Sequence, residues 1–354
     1  MPAPNQAAMD AHVRYLADDL LEGRAPATRG GRLAARYVAA QFEALGLEPG
    51  AADGSYFQPV ALVGLTARAA LAWGKAGAAP LALRPLDDFV AWAERPEPRV
   101  TVEGDLVFVG YGIQSAEWRW DDYKGQDLSG KVLLMLVNTP GLADSTVFNG
   151  RALTYYGRWT YKLEEAARRG AVGALLVHTT ESATYGWEVV RGSWSVEQFK
   201  LDRPVTPSLA FAGWVTRDAA AAALARAGLG LDSLTRAAAR RDFRPVATGL
   251  RVAIDLASAV RHVRSENVVA RIAGADPALG REAVIFTAHW DHKGIGPAVN
   301  GDSIYHGAED NASGVAATLA AAEALAHGGA KPRRTILFIA TTAEESGLLG
   351  SEAY

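Results

Sequence analysis

The sequence contains no cysteine. That excludes disulfides and thiolate metal ligands, so any metal must rest on imidazole and carboxylate. Absence of cysteine fits either the cytosol or an export route without disulfides. No apolar run approaches the ~20 residues that a membrane-crossing helix needs. No basic stripe stands out and the net charge is −3, which argues against nucleic acid as a partner. The opening MPAPNQAAMDAH has neither a basic flank nor an apolar core, so it does not read as a signal peptide. No internal repeat appears, and no low-complexity tract beyond Ala-rich helices. What remains is ordinary packing material. The 354 residues are 49% hydrophobic and 21% charged, enough for a sizeable core and about two domains.

The chemistry concentrates between Val284 and Ser351. Val284 to Ala288 is an apolar run too short for a helix and reads as a buried strand ending at His289-Trp290-Asp291. Thr335 to Thr341 is a second such run, and Glu344-Glu345 follow it. Between them lie Asp310-Asn311-Ala312-Ser313-Gly314 and a segment of strong helix formers from Val315 to His327. In an α/β sheet, the order strand, loop, helix, strand, loop puts both loops at the carboxyl ends of parallel strands, where ligands gather.

A divalent metal site that activates water needs imidazole and carboxylate ligands, an open position and a separate base. His289 supplies a nitrogen, and Asp291 can orient its ring from behind. Asp310 stands ahead of a helix amino terminus, whose free N–H groups favour negative charge. Its two oxygens could bridge two ions. Glu344 and Glu345 point in different directions, so one can bind metal while the other faces water. Two adjacent like charges are costly without a cation to share.

The set H-x-D, E-D-N-A-S-G and E-E-S-G-L-L-G-S resembles the co-catalytic di-zinc aminopeptidases, a family that includes glutamate carboxypeptidase. The resemblance implies an α/β fold, a central mixed sheet flanked by helices, and two Zn²⁺ as cofactors. It implies that His289 binds one zinc, Asp310 bridges both, Glu345 binds the other, Glu344 is the general base and Asp291 supports the histidine. It also implies a cis peptide at Asp310-Asn311. The family has two further ligands, an aspartate and a histidine, downstream of the double glutamate. This chain stops at Tyr354. It therefore reads as the amino-terminal part of a longer enzyme, holding three of five ligands, expected to bind zinc weakly and catalyse poorly, with its last strand left unpaired at one edge.

Upstream, Met9 to Leu21 and Gly31 to Leu45 show helical periodicity, with Gly46 and Gly50 as helix stops. The stretch LADDLLEGRAPATRGG also resembles the opening of the same family, with Arg24, Arg29 and Arg32 read as solvated loop residues. From Val100, a Gly-Tyr-Gly strand, Leu128-Ser129-Gly130-Lys131 before a buried strand, and Ala-Arg-Arg-Gly-Ala-Val-Gly-Ala after a helix resemble an inserted protease-associated domain, smaller and β-rich. The later PVTPSLAFAGWVTRDAAAAALARAGL closes it. The expected segments are 1–99 and 249–354 for the catalytic part and 100–248 for the insertion. Ser265 to Ile272 is read as the strand returning to the catalytic sheet. Relatives with such an insertion are commonly exported, so a periplasmic or extracellular location is expected, with the leader absent from this chain.

Ten tryptophans and tyrosines from Trp118 to Trp194 read either as a wall gripping apolar substrate side chains or as packing, and packing is the commoner fate of such residues. His12, His178, His262 and His327 read as structural or surface residues. His292 lies near the motif, but the match puts the ligand at His289. His306 is placed to line the cleft, and Asp302 reads as a turn former. The expected activity is removal of amino-terminal residues from a peptide substrate by metal-activated water. A carboxypeptidase or amidohydrolase with the same metals, or a non-catalytic binding relative, stands as the alternative. Oligomeric state is not legible.

Overall fold

The computed structural model describes residues 5–203 and 207–354. Pro204 to Thr206, within the stretch read as closing the insertion, lie outside the described residues, as do the first four. The fold is mixed α/β, in two compact units: Met1–Gly64 with Gln198–Asp202 and Arg261–Tyr354, and Leu65–Glu197 with Arg203–Val260. These limits fall elsewhere than the expected segments. Residues 65–99 and 249–260, expected with the catalytic part, pack in the second unit. The reason is apolar burial: Leu71, Trp73, Phe89, Leu250, Val252, Ile254 and Leu256 enter one core with Val132 and Leu134.

In the first unit, strand Thr335–Thr341 is the organising element. It pairs parallel with Ala283–His289 and antiparallel with the end of the long strand Val246–Ile272. The expected open edge on Thr335–Thr341 is therefore corrected. Of these three strands, the one with a single neighbour among the described residues is Ala283–His289. Lateral order in an α/β sheet follows the crossovers, not the order along the chain. The expectation of full burial for that strand fails for the same reason. An edge strand is covered on fewer sides, and Val284 and Ile285 are 44% and 51% exposed.

Helix Gln6–Leu16, helix Arg29–Ala44 and helix Ser313–Ala326 bury Leu16, Ala34, Val38, Phe42, Val315 and Leu319 with Val268 and Phe338 of the sheet. The first helix ends earlier than its periodicity implies. Asp18 accepts from the Leu20 N–H, and a short 3₁₀ segment follows. Thr28 caps the second by accepting from the Gly31 N–H at 3.1 Å. Gly46 (φ 74°) ends that helix. Gly50 is not a stop. It lies against Val269, where a Cβ would stand 2.6 Å from that side chain.

In the second unit, Arg99–Phe108, Val132–Leu136, Gly173–His178 and Phe211–Thr216 are successive parallel neighbours, with Phe89–Ala93 antiparallel on Phe211–Thr216. The two middle strands are buried at every residue, as parallel strands covered on both faces must be. Helices Trp159–Arg168 and Arg217–Arg226 contact Gly173–His178. The aromatics pack on one another: Trp194 stacks on Trp92 at 3.8 Å, and Phe148 meets Trp118, Trp120 and Tyr156. Among the described residues, no helix is long and apolar enough to cross a membrane.

Phe338 is fully buried between Phe42 and Phe286. Phe338→Ala should lower stability by about 3–5 kcal/mol, read as a shift of the denaturation midpoint of the first unit. An unchanged midpoint would contradict this packing.

Candidate metal centre

Parallel pairing in register His289↔Thr341 brings the carboxyl ends of two strands level. The chain then diverges into the two loops that carry acids. Trp290 extends the ladder by one bond, its N–H donating to Thr341 O at 3.0 Å. On the other side, Ala343 takes φ 51° and turns the chain so that Glu344 and Glu345 face back. Buried Asn267 holds that turn. Its Oδ1 accepts from the Thr342 N–H at 3.0 Å, and its amide donates to Gly350 O at 2.9 Å and Gln58 Oε1 at 2.7 Å.

Asp310 arrives from a third direction, just ahead of helix Ser313–Ala326. The Asp310-Asn311 peptide is cis. The first free N–H of the helix is taken by Asn311, whose Oδ1 accepts from Gly314 at 2.9 Å. Gly307 precedes this loop at φ 59°, and a Cβ there would stand 2.5 Å from Asp310 O and 2.6 Å from Arg24 Nη2. Only glycine fits that conformation and that approach.

His289, Asp310 and Glu345 each offer a ligand atom within 4.8 Å of the others. His289 Nε2 lies 3.0 Å from Asp310 Oδ1 and 3.6 Å from Glu344 Oε2. Asp310 is open to solvent, whereas His289 is nearly buried. One imidazole nitrogen and carboxylate oxygens are the donors that borderline divalent ions such as Zn²⁺ take. The donor set fits that ion.

Asp291 behaves differently from the expectation that its carboxylate orients the histidine ring. His289 Nδ1 is 3.1 Å from the backbone O of Asp291 and 3.9 Å from its carboxylate. The carboxylate instead accepts the Glu344 N–H at 3.2 Å. The backbone reaches the ring first because residue 291 follows the strand end by only two positions. Asp291 is fully buried, and its Oδ2 has no hydrogen-bond partner among the described residues. Burial, with the charges of Glu345 and Glu344, pushes its pKa up to about 7 against the lowering effect of His289.

The two glutamates are set apart electrically. Burial raises Glu344. Burial also acts to raise Glu345, but hydrogen bonds and charge from His292 and Lys293 outweigh it and hold its pKa down at about 2. Lys293 Nζ is 2.7 Å from Glu345 Oε2, and His292 Nδ1 hydrogen-bonds Oε1. His292 thus touches a candidate ligand rather than standing in for one. His306 bonds Asp19 at 2.8 Å, and Asp302 accepts from the Ile304 N–H as a turn former does. The other four histidines lie away from the cluster. His12 bonds Tyr37, His178 bonds Tyr185 O and His262 bonds Asp202, while His327 ends the helix Ser313–Ala326.

The reading of Arg24 as a solvated loop residue is corrected. Arg29 and Arg32 are exposed, but Arg24 is fully buried. It donates to Trp290 O at 2.7 Å, Leu16 O at 2.9 Å, Gly307 O at 2.6 Å and His306 O. One planar fork therefore ties the loop of His289 to the loop of Asp310. Burial lowers its pKa to about 10, so it stays a cation at neutral pH, while Asp291, Glu345 and Asp310 favour its charge. Composition around Arg24 looked like a loop. The missing signal is the demand of distant carbonyls, which no local pattern carries.

Residues 267–354 match the profile of peptidase family M28. Among solved structures, an aminopeptidase from Aneurinibacillus sp. strain AM-1 aligns over 99% of this chain and 66% of its own, at 23% identity and TM-score 0.53. A peptidase M28 precursor from Shewanella amazonensis SB2B is 22% identical over 99% of this chain and 68% of its own, TM-score 0.48. A zinc aminopeptidase from Bacillus subtilis is 18% identical over 98% and 64%, TM-score 0.43. The first shares the fold. The chain spans about two thirds of these proteins' lengths, and in it the M28 segment supplies the imidazole and all the acids of the cluster.

Arg24→Met should destabilise the first unit by about 3 kcal/mol or more, since buried carbonyls that lose a donor cost about 1–3 kcal/mol each. Chemical denaturation measures this, with Arg24→Lys recovering only part. Stability equal to the parent's would show that the fork is dispensable.

Proposed function

We propose that the protein is a metal-dependent peptidase that removes amino-terminal residues from peptides. The observation that carries this reading is the convergence of His289, Asp310 and Glu345 within 4.8 Å, in the segment matched to peptidase family M28. His289 Nε2, Asp310 and Glu345 would hold a zinc ion. When bound, the ion would polarise the scissile carbonyl and acidify water. Asp310 is open to solvent, so a second ion could be held there with Glu345, as the wider resemblance implies.

The chain's own residues supply the proton traffic. Glu344 stands beside the cluster, and its raised pKa suits a group that takes a proton from water and returns it. The water oxygen bonds to the carbonyl carbon, the C–N bond breaks, and Glu344 passes the proton to the departing amine. Asp291 accepts the Glu344 N–H and so fixes the backbone of the base. Lys293 and His292 keep Glu345 ionised, as a ligand must be. Arg24 keeps the His289 and Asp310 loops in register.

Zinc content after dialysis and hydrolysis of free-amino against blocked peptides test the reading. Glu344→Gln should retain zinc while lowering turnover by about 10²–10⁴-fold, and His289→Ala should lose zinc. A Glu344→Gln enzyme of near-parental rate would remove that residue from the base role. Preference for amino-blocked peptides would replace an aminopeptidase with another amidohydrolase.

A further inference from the structure

The second unit holds a cavity of about 280 Å³ at a place where parallel sheets bind ligands. Its lining comes from residues at or just past the carboxyl ends of four neighbouring parallel strands. Tyr111 follows Arg99–Phe108, Leu136 ends Val132–Leu136, Val177 and Thr179 flank the end of Gly173–His178, and Arg217 follows Phe211–Thr216. Crevices outside such strand ends are the usual ligand sites of α/β sheets. The volume is small for a ligand pocket and suits a fragment-sized molecule.

Apart from Arg217 and the Tyr111 hydroxyl, the polar lining offers acceptors. Thr179 Oγ1 donates to Ser182 Oγ at 2.8 Å, Ser182 Oγ donates to Thr179 O at 3.2 Å, and Thr235 Oγ1 donates to Leu231 O at 2.9 Å. Their protons are thereby committed; Thr179 Oγ1 also accepts the Ser182 N–H at 3.1 Å and Ser182 Oγ accepts from Thr179, so each of these two keeps one free lone pair. Glu181 and Asp232 add carboxylates. The one lining cation, Arg217, pairs with Asp232 at 2.5 Å, and this pair too is exposed and screened. Glu181 has Arg151 at 3.4 Å, but both side chains are exposed and water screens the pair. Tyr111 is 4% exposed and lines the cavity, and its hydroxyl has no hydrogen-bond partner among the described residues. That hydroxyl, as a neutral phenol, can both donate to and accept from a group in the cavity. Burial pushes its pKa up to about 12, which keeps it a neutral phenol.

We propose that this cavity is a binding site for a small primary amine with a short branched apolar body. The ammonium would donate to Glu181 and to the lone pairs of Tyr111, Thr179 and Ser182. The hydrocarbon would lie on Leu136, Val177 and Leu142. The inference is independent of the metal-centre reading, because every residue it uses lies in the other unit.

Isothermal titration of the full chain with 3-methylbutylamine tests it, beside two molecules of the same body, 3-methylbutanol and 3-methylbutyrate. The expected result is saturable one-site binding of the amine, at least tenfold weaker binding of the alcohol, and none of the carboxylate. Glu181→Gln and Tyr111→Phe should each weaken the amine about fivefold or more. Glu181 is at the surface, so its variant tests the site without threatening the fold. Glu345→Gln should leave amine binding unchanged. Absence of saturable binding overturns the proposal. So does binding indifferent to Glu181→Gln and Tyr111→Phe, binding lost in Glu345→Gln, or a preference for the carboxylate.

Discussion

Everything at the candidate centre depends on where two parallel strands stop. The pairing of His289 with Thr341 leaves both chains at one level. Backbone hydrogen bonding then dictates that the next residues diverge, since no further ladder is available to either. Imidazole from one exit and carboxylates from the other meet above the seam. Asp310 joins them because the helix Ser313–Ala326, which carries the chain back to the second strand, starts at that same edge. A slip of one residue in this register would turn His289 to the opposite face.

Such a cluster is electrostatically awkward alone. Three carboxylates lie around one imidazole, and Asp291 is sealed beneath them. The surrounding structure answers with cations of unequal reach: Lys293 and His292 at Glu345, and Arg24 below the loops. The outcome is asymmetry between two neighbouring glutamates. One is held ionised and the other is eased toward protonation. Identical side chains thus acquire different acidities from their surroundings, the difference that the proposed ligand and base roles call for.

The residues that meet were legible because each borders a strongly patterned segment. His289 ends one such run, Glu344 and Glu345 follow another, and Asp310 stands just ahead of the helix-forming run, each plain in the apolar spacing. The parallel order of the strands followed from the intervening helix. What was not legible depends on neighbours distant in the chain. Arg24 sits among Gly, Pro and Ala and looked solvated, yet its partners are carbonyls of residues 16, 290, 306 and 307. The exposure of Val284 and Ile285 depends on lateral strand order. Asp291 was expected to use its carboxylate where its carbonyl serves, a matter of a rotamer and an ångström. The unit limits followed a core that residues 65–99 and 249–260 share, not the change of pattern near Val100.

The dependence of both loops on Arg24 gives the amino-terminal helices a role in assembly. The candidate ligands lie between His289 and Glu345, but the fork that aligns their loops is made far upstream, at Arg24. A protease that nicked the 3₁₀ segment Asp19–Arg24 would leave every ligand covalently in place and still unfasten them. Synthesis imposes the reverse order: the clamp emerges from the ribosome long before the loops it will grip.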